Sequence, residues 1–285
     1  MICLTGDIHH TSLGTNDQRY IGKNDTEVKI SCRFLELIEK HNVKTTFYIT
    51  GRSFNADWQD LESITSSSLV EVGGHTYSGI PSGNLDRLKS RLLNRCPSSH
   101  GARYGSPSSQ GKDIKRMVEA VREKSGYTIV SWRSHGLVYD RHTYSLLRQN
   151  GIRLISDEIS AKKIFPEKTK EGLISHPINV IPDHDHLYHA HRDEEFVKKA
   201  KSVGYGTDAF GAESYPVEVW GDRVLERVAE IEKAGGLATI LMHPVCMYLA
   251  DRFRTAERLL KHFAGYKNIW AREILPLYEV IDGTG

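Results

Sequence analysis

The sequence predicts one α/β domain built on a largely parallel sheet. Three observations carry this. Short apolar runs alternate with amphipathic stretches of helical period, several of those runs end on ionisable residues, and no repeat or low-complexity linker divides the 285 residues. An apolar content of 39% and a charged content of 26% suit a globular chain able to bury a full core.

The elements follow in order. ICLTGD (2–7) is a buried-type strand that stops on Asp7, with His9 and His10 just beyond. VKISCRFLELIEKHN (28–42) puts Ile30, Phe34, Leu37 and Ile38 on one helical face. KTTFYITG (44–51) and LVEVGG (69–74) give the next strands, and DIKRMVEAVREKSG (113–126) opens on aspartate and closes on glycine, as helices do. YTIVSWR (127–133), IRLIS (152–156) and INVIP (178–182) continue the strands. DRVLERVAEIEKAGG (222–236) is another helix, LATILMH (237–243) the seventh strand, and TAERLLKHF (255–263) a helix near the end. Residues 77–112 and 183–218 are expected as long loop insertions within a single domain spanning 1–285. Seven strands suit a barrel or an open doubly wound sheet, but no Gly-rich phosphate loop follows the first strand.

Composition excludes several functions. The net charge is +2, from 38 basic and 36 acidic residues, so there is no electrostatic footprint for nucleic acid or an anionic membrane. Cys3, Cys32, Cys96 and Cys246 are scattered without C-x-x-C spacing, which argues against a zinc finger, a disulfide framework and dithiol redox chemistry. No apolar run approaches the ~20 residues of a membrane span, and no basic-then-apolar leader precedes the first strand. The expectation is a soluble, cytoplasmic protein.

The strand ends carry the chemistry. The first ends on Asp7 and His9, the third on His75, the fourth on Arg133 and His135, the sixth on PDHDH and the last on His243. In a parallel α/β fold those carboxyl ends share one face, where such folds build their sites. Histidines with a carboxylate suit a zinc-like divalent cation. A neighbouring aspartate can take a water's proton, a histidine can protonate a leaving group, and an arginine can hold the base ionised. That combination points to hydrolysis of an amide or ester.

The motif order resembles the polysaccharide deacetylase family (the NodB homology domain). LTGD resembles its aspartate motif, TTFYITG its second strand, and VEVGGHTYSG its metal-histidine motif. WRSHG, followed by TYSLLRQNGIRLISD, resembles its arginine motif, and ILMHP its closing Leu-His-Pro motif. The resemblance implies a distorted (β/α)7 barrel. Asp7 would be the general base, His75 a metal ligand and His243 the general acid, with Arg133 orienting the base through a two-pronged contact. Two positions depart from the family pattern. Ile8 stands where many members have a metal-binding aspartate, and Gly79 stands where they have a second histidine. His9 stands where some members place an acidic ligand, on the same side of an extended strand as Asp7.

The resemblance therefore makes His9 and His75 ligands of a divalent metal ion, with zinc the first choice. The third position stays open among Asp7, His10, Asp183, His184, Asp185 and His186, unless an aspartate of PDHDH instead pairs with His243. Trp132 and Tyr104 are candidates for stacking on sugar rings. The implied activity is metal-dependent N-deacetylation of an N-acetylated sugar, with a carbohydrate as partner, in bacterial surface polysaccharide (O-antigen or capsule) biosynthesis. The alternatives are a hydrolase of the same fold acting on another non-peptide C–N bond, or an inactive carbohydrate-binding relative.

Overall fold

In the computed structural model, which describes residues 1–10, 20–77, 106–202 and 207–282, the opening apolar run becomes strand β1 (Ile2–Ile8), buried along its whole length. Helix α1 (Glu27–His41) follows. The Thr26 hydroxyl accepts the Lys29 N–H at 3.1 Å at its start, and Asn42 ends it in the left-handed region at φ 53. Val28, Ile30, Phe34, Leu35 and Ile38 form its buried face. Phe34 meets Phe47 of β2 (Thr45–Ile49) with ring centroids 6.4 Å apart, and burying such a ring contributes about 1.5–3 kcal/mol.

Helices α2 (Gly51–Ala56) and α3 (Trp58–Ser66) lead to β3 (Val70–Gly74). Then come α4 (Pro107–Ser125), β4 (Ser131–Trp132), α5 (Thr143–Gln149), β5 (Leu154–Ile155), and the short strands β6 (Glu167–Lys168) and β7 (Ile174–Ser175). Helices α6 (Asp183–His186), α7 (Glu194–Ser202) and α8 (Val217–Lys233) precede β8 (Ala238–Leu241). Helices α9 (Pro244–Asp251), α10 (Arg254–Phe263) and α11 (Ile274–Asp282) close the chain.

The sheet order is β6-β7-β5-β4-β3-β2-β1-β8. Every neighbouring pair is parallel except the β6–β7 edge pair. Seven parallel strands with helices outside them are the distorted (β/α)7 barrel expected from the sequence. Their carboxyl ends share one face.

Three expectations need correction. INVIP (178–182) is not a ladder strand, and the paired residues are Ile174–Ser175, just upstream. Pro177 precedes that run and Pro182 ends it, and neither has an N–H to give a ladder. Instead, Asn179 joins this segment to β8. Its N–H donates to the Thr239 carbonyl at 3.2 Å, its Oδ1 accepts the Thr239 N–H at 2.9 Å, and its Nδ2 donates to the Leu237 carbonyl at 2.9 Å. A side-chain amide thus takes the place of a ladder where the barrel closes. Secondly, 183–218 is not a plain loop, since it holds α6 and α7. Thirdly, the end of the 77–112 stretch belongs to α4, while 78–105 lies outside the described residues. Among the described residues no helix is long and apolar enough to cross a membrane, and Cys3, Cys32 and Cys246 form no disulfide.

Candidate active site

Asp7, near the carboxyl end of β1, is 5% exposed and faces Arg133, which directly follows β4 and is fully buried. Arg133 Nη1 donates to Asp7 Oδ1 at 2.8 Å. Its other donors go elsewhere: Nη2 to Thr5 Oγ1 at 2.8 Å and Ser156 Oγ at 2.9 Å, and Nε to the Ser156 carbonyl at 3.1 Å. The contact with Asp7 is therefore one-pronged rather than two-pronged, because the rest of the fork is spent on β1 and the end of β5. Tyr48 lies under the guanidinium, with Cζ 4.4 Å from the ring centroid. Burial by itself would raise the Asp7 pKa, but the charges of Arg133, His75, His243 and His9 together outweigh it, Arg133 foremost among them, and hold the carboxyl well below the usual carboxylate range. Asp7 Oδ2 lies 3.7 Å from His75 Nε2 and 3.7 Å from His243 Nε2. That spacing leaves room for a small polar group among the three.

His9, His75 and His135 form the adjoining cluster, with one donor atom from each all within 4.8 Å of one another. The His9 ring and backbone N–H both address Glu27 Oε1, at 2.7 Å from Nδ1 and 3.0 Å from N. His75 Nδ1–H donates to the Arg133 carbonyl at 2.7 Å, and burial pushes the His75 pKa down to about 3. With both Nδ1 atoms acting as donors, the two Nε2 lone pairs face each other 3.1 Å apart. A shared cation satisfies that arrangement, whereas two bare lone pairs would repel.

His135 adds a third imidazole, with ring centroids 4.9 Å from His9 and 5.1 Å from His75. Its Nδ1 is buried with no hydrogen-bond partner among the described residues, and burial holds its pKa well below the usual value. Three imidazoles kept neutral or oriented by acceptors behind them fit a divalent cation.

His135 sits on a turn whose Gly136 and Leu137 both have positive φ, 64 and 56. Asp157, after β5, anchors that turn by accepting the Ser134 N–H at 2.5 Å and the Ser134 hydroxyl at 3.1 Å. Burial raises the Asp157 pKa to about 6. Neither Glu27 nor Asp157 stood out from the sequence. The start of an amphipathic helix and the end of an apolar strand are ordinary places for a carboxylate. WRSHG did place His135 at a strand end, but His135 was not among the ligand candidates read from the sequence.

His243, the residue before α9, is paired with Asp183, the first residue of α6. Its Nδ1 lies 2.7 Å from Asp183 Oδ1, and its N–H donates to Oδ2 at 2.5 Å. Burial opposes a charged ring here, but Asp183 outweighs it and lifts the His243 pKa to about 9. PDHDH thus supplies the partner of a histidine through Asp183.

The other sequence candidates lie elsewhere. His10 Nδ1 is 2.6 Å from Asp57 Oδ2. Asp185 stands 3.6 Å from Arg192 Nη1, and His186 reaches the Glu213 carbonyl at 2.7 Å and Asp208 at 3.0 Å. His184 has its ring 5.6 Å from that of His243, and the His9 cluster does not include it. Trp132 is fully buried, its ring edge over Gly74 and its Nε1–H donating to Ser134 Oγ at 3.3 Å. It is a core side chain, because β3 offers it a glycine to pack on, and it presents no face to a sugar. Tyr104 and Gly79 lie outside the described residues.

The family model described as polysaccharide deacetylase matches residues 18–155. Over that stretch, a little under half of its length, the chain is similar to the polysaccharide deacetylases. A Mycobacterium smegmatis protein assigned to that family superimposes with a TM-score of 0.69 at 15% identity, covering 99% of this chain and 90% of its own. The allantoinase PuuE superimposes with a TM-score of 0.64 at 9% identity, covering 98% and 90%. A CE4 family pseudoenzyme from Bacillus anthracis gives 0.51 at 14% identity, covering 96% of this chain and 65% of its own. At these identities the superpositions establish the fold. No curated protein matches the sequence.

Proposed function

We propose that this chain hydrolyses the N-acetyl group of an N-acetylated sugar, giving acetate and a free amine. The observation that carries the reading is the position of Asp7 Oδ2, 3.7 Å from the Nε2 atoms of both His75 and His243. One oxygen of the base is committed to Arg133, and the other opens toward the reacting groups. Arg133 keeps Asp7 ionised at neutral pH, ready to take a proton from the attacking water. His243 stands across the site with its pKa raised to about 9, so it is charged at neutral pH and can give its proton to the departing nitrogen. Asp183 holds the ring so that Nε2 faces inward. His9, His75 and His135 would hold a divalent cation, with zinc the first choice for imidazole donors, and such an ion supplies Lewis acidity toward the substrate carbonyl.

The family description and the sequence motifs support a saccharide substrate, and we assign it to bacterial surface polysaccharide assembly, as an O-antigen or capsule precursor. A second reading is hydrolysis of a different non-peptide C–N bond. The ligand cluster favours it in one respect, since it contains no carboxylate, and the fold is shared with an allantoinase. Acetate release from N-acetylated nucleotide sugars, lipid-linked sugars and oligosaccharides tests the first reading. Turnover of a cyclic amide, with no acetate from any of these sugars, replaces it with the second.

A further inference from the structure

Beyond the three-histidine cluster, a second set of donors converges on the far side of His243. Cys246, in the first turn of α9, is 1% exposed, and His189 is 4% exposed. His184, in α6, is open to solvent. One donor atom from each lies within 4.8 Å of the others. His189 Nδ1 lies 2.8 Å from the Leu187 carbonyl, a contact that fixes the orientation of the ring. The His184 ring lies 6.0 Å from that of His189.

The segment that carries these imidazoles is pinned rather than loose. Tyr188 N–H donates to the Tyr215 carbonyl at 2.9 Å, and Tyr215 N–H donates to the His186 carbonyl at 2.8 Å. His189 and Arg192 exchange backbone hydrogen bonds of 3.2 and 2.7 Å around Ala190, whose φ is 44. Arg192 is itself 3% exposed, with Nε donating to Ser214 Oγ at 3.1 Å. A turn held this firmly, in a backbone region that alanine rarely adopts, keeps His189 aimed at α9.

We infer that His184, His189 and Cys246 form a second cation site for a borderline-soft divalent metal such as zinc. A thiolate with two imidazoles is the donor set such ions prefer, and a solvent position can complete a tetrahedron. Tetrahedral donors lie roughly 3.3–3.8 Å apart, so these need draw together by about 1 Å. On binding, the Cys246 thiol gives its proton to solvent and the thiolate bonds the ion. The site ties α6 and its following turn to α9. Asp183 begins the first of these and His243 immediately precedes the second, so the ion clamps the acid pair from outside without touching substrate.

The site does not depend on the proposed deacetylation, and one probe separates the two metal centres. Cobalt(II) is titrated into the metal-free full chain. The three-histidine cluster has no sulfur, so a near-ultraviolet thiolate-to-cobalt band that needs Cys246 and His184 reports the second site. A band that needs Cys246 and Asp183 but not His184 places the ion among Asp183, His243 and Cys246 and overturns it. The expected result is about two equivalents bound in all, with the band present. Cys246→Ser should remove the band and one equivalent. His75→Ala should remove the other equivalent and keep the band. His184→Ala, at an exposed position, should weaken the band-forming affinity roughly 10–100-fold or more. A folded wild-type chain with no thiolate band, or a band that survives Cys246→Ser, overturns the site. A band with only one equivalent in the wild type leaves this site standing and removes the three-histidine centre instead.

Discussion

Arg133 holds Asp7 by a single hydrogen bond, Nη1 to Oδ1 at 2.8 Å, and leaves Oδ2 to the open side of the site. The other three guanidinium contacts go to Thr5 and Ser156, so the arginine is fixed by the barrel wall rather than by its partner. That division of labour lets the carboxylate stay ionised with one oxygen available.

Asp7→Asn should therefore lower turnover by roughly 10²–10⁴-fold while the fold survives, since Arg133 keeps its contacts with the wall. Steady-state kinetics beside a circular dichroism spectrum checks both halves. An Asp7→Asn enzyme with wild-type kcat would remove Asp7 as the base.

Glu27 touches the proposed metal only through His9, whose Nδ1 it holds at 2.7 Å. Glu27→Gln should weaken metal affinity roughly 10–100-fold, by loosening the ring and its tautomer. Equilibrium dialysis against zinc reads this directly. Unchanged affinity would mean that His9 is not a ligand.

The acid limb of catalysis should follow His243. Activity requires its proton, so with a pKa of about 9 the rate should fall as pH rises through that value. Asp183→Asn removes the charge that raises it, and the decline should begin nearer the ordinary histidine range, about 6.5. The linkage sign agrees. A pKa raised on folding gives stability that is complete below about 6.5 and is lost as pH climbs through about 9. Identical pH–rate profiles for the two proteins would sink the assignment of His243 as the acid.

Gly74 is the floor on which Trp132 rests. A methyl added there would lie 2.3 Å from Trp132 Cε3. Gly74→Ala should cost about 1–3 kcal/mol of stability, as overpacking does, and a thermal melt will show it. A wild-type melting temperature would place the Trp132 ring elsewhere.

Much of the site was legible along the chain because a parallel barrel makes its active face from residues at the strand ends. Asp7, His75, Arg133 and His243 are all found at that face, where their strand-end positions put them, and their roles are as proposed above. PDHDH was harder to place. Its five residues diverge in space, with Asp183 turned to His243, His184 toward His189 and Cys246, and His186 toward Asp208. A short helix sends successive side chains in different directions, and no pattern in the letters says which faces inward. Trp132 followed the same lesson, since its burial depended on a glycine one strand over.

From the sequence alone came the alternation of strands and helices, the polar strand ends and the candidate base, acid and arginine, because periodicity and strand-end chemistry are local properties. The tertiary structure decided which strand ends are neighbours. With β1 lying between β2 and β8, and β3 beside β4, His9 meets His75 and His135 while Asp183 meets His243. Those pairings join residues 60 or more positions apart in the chain, and only the closing of the barrel sets their distances.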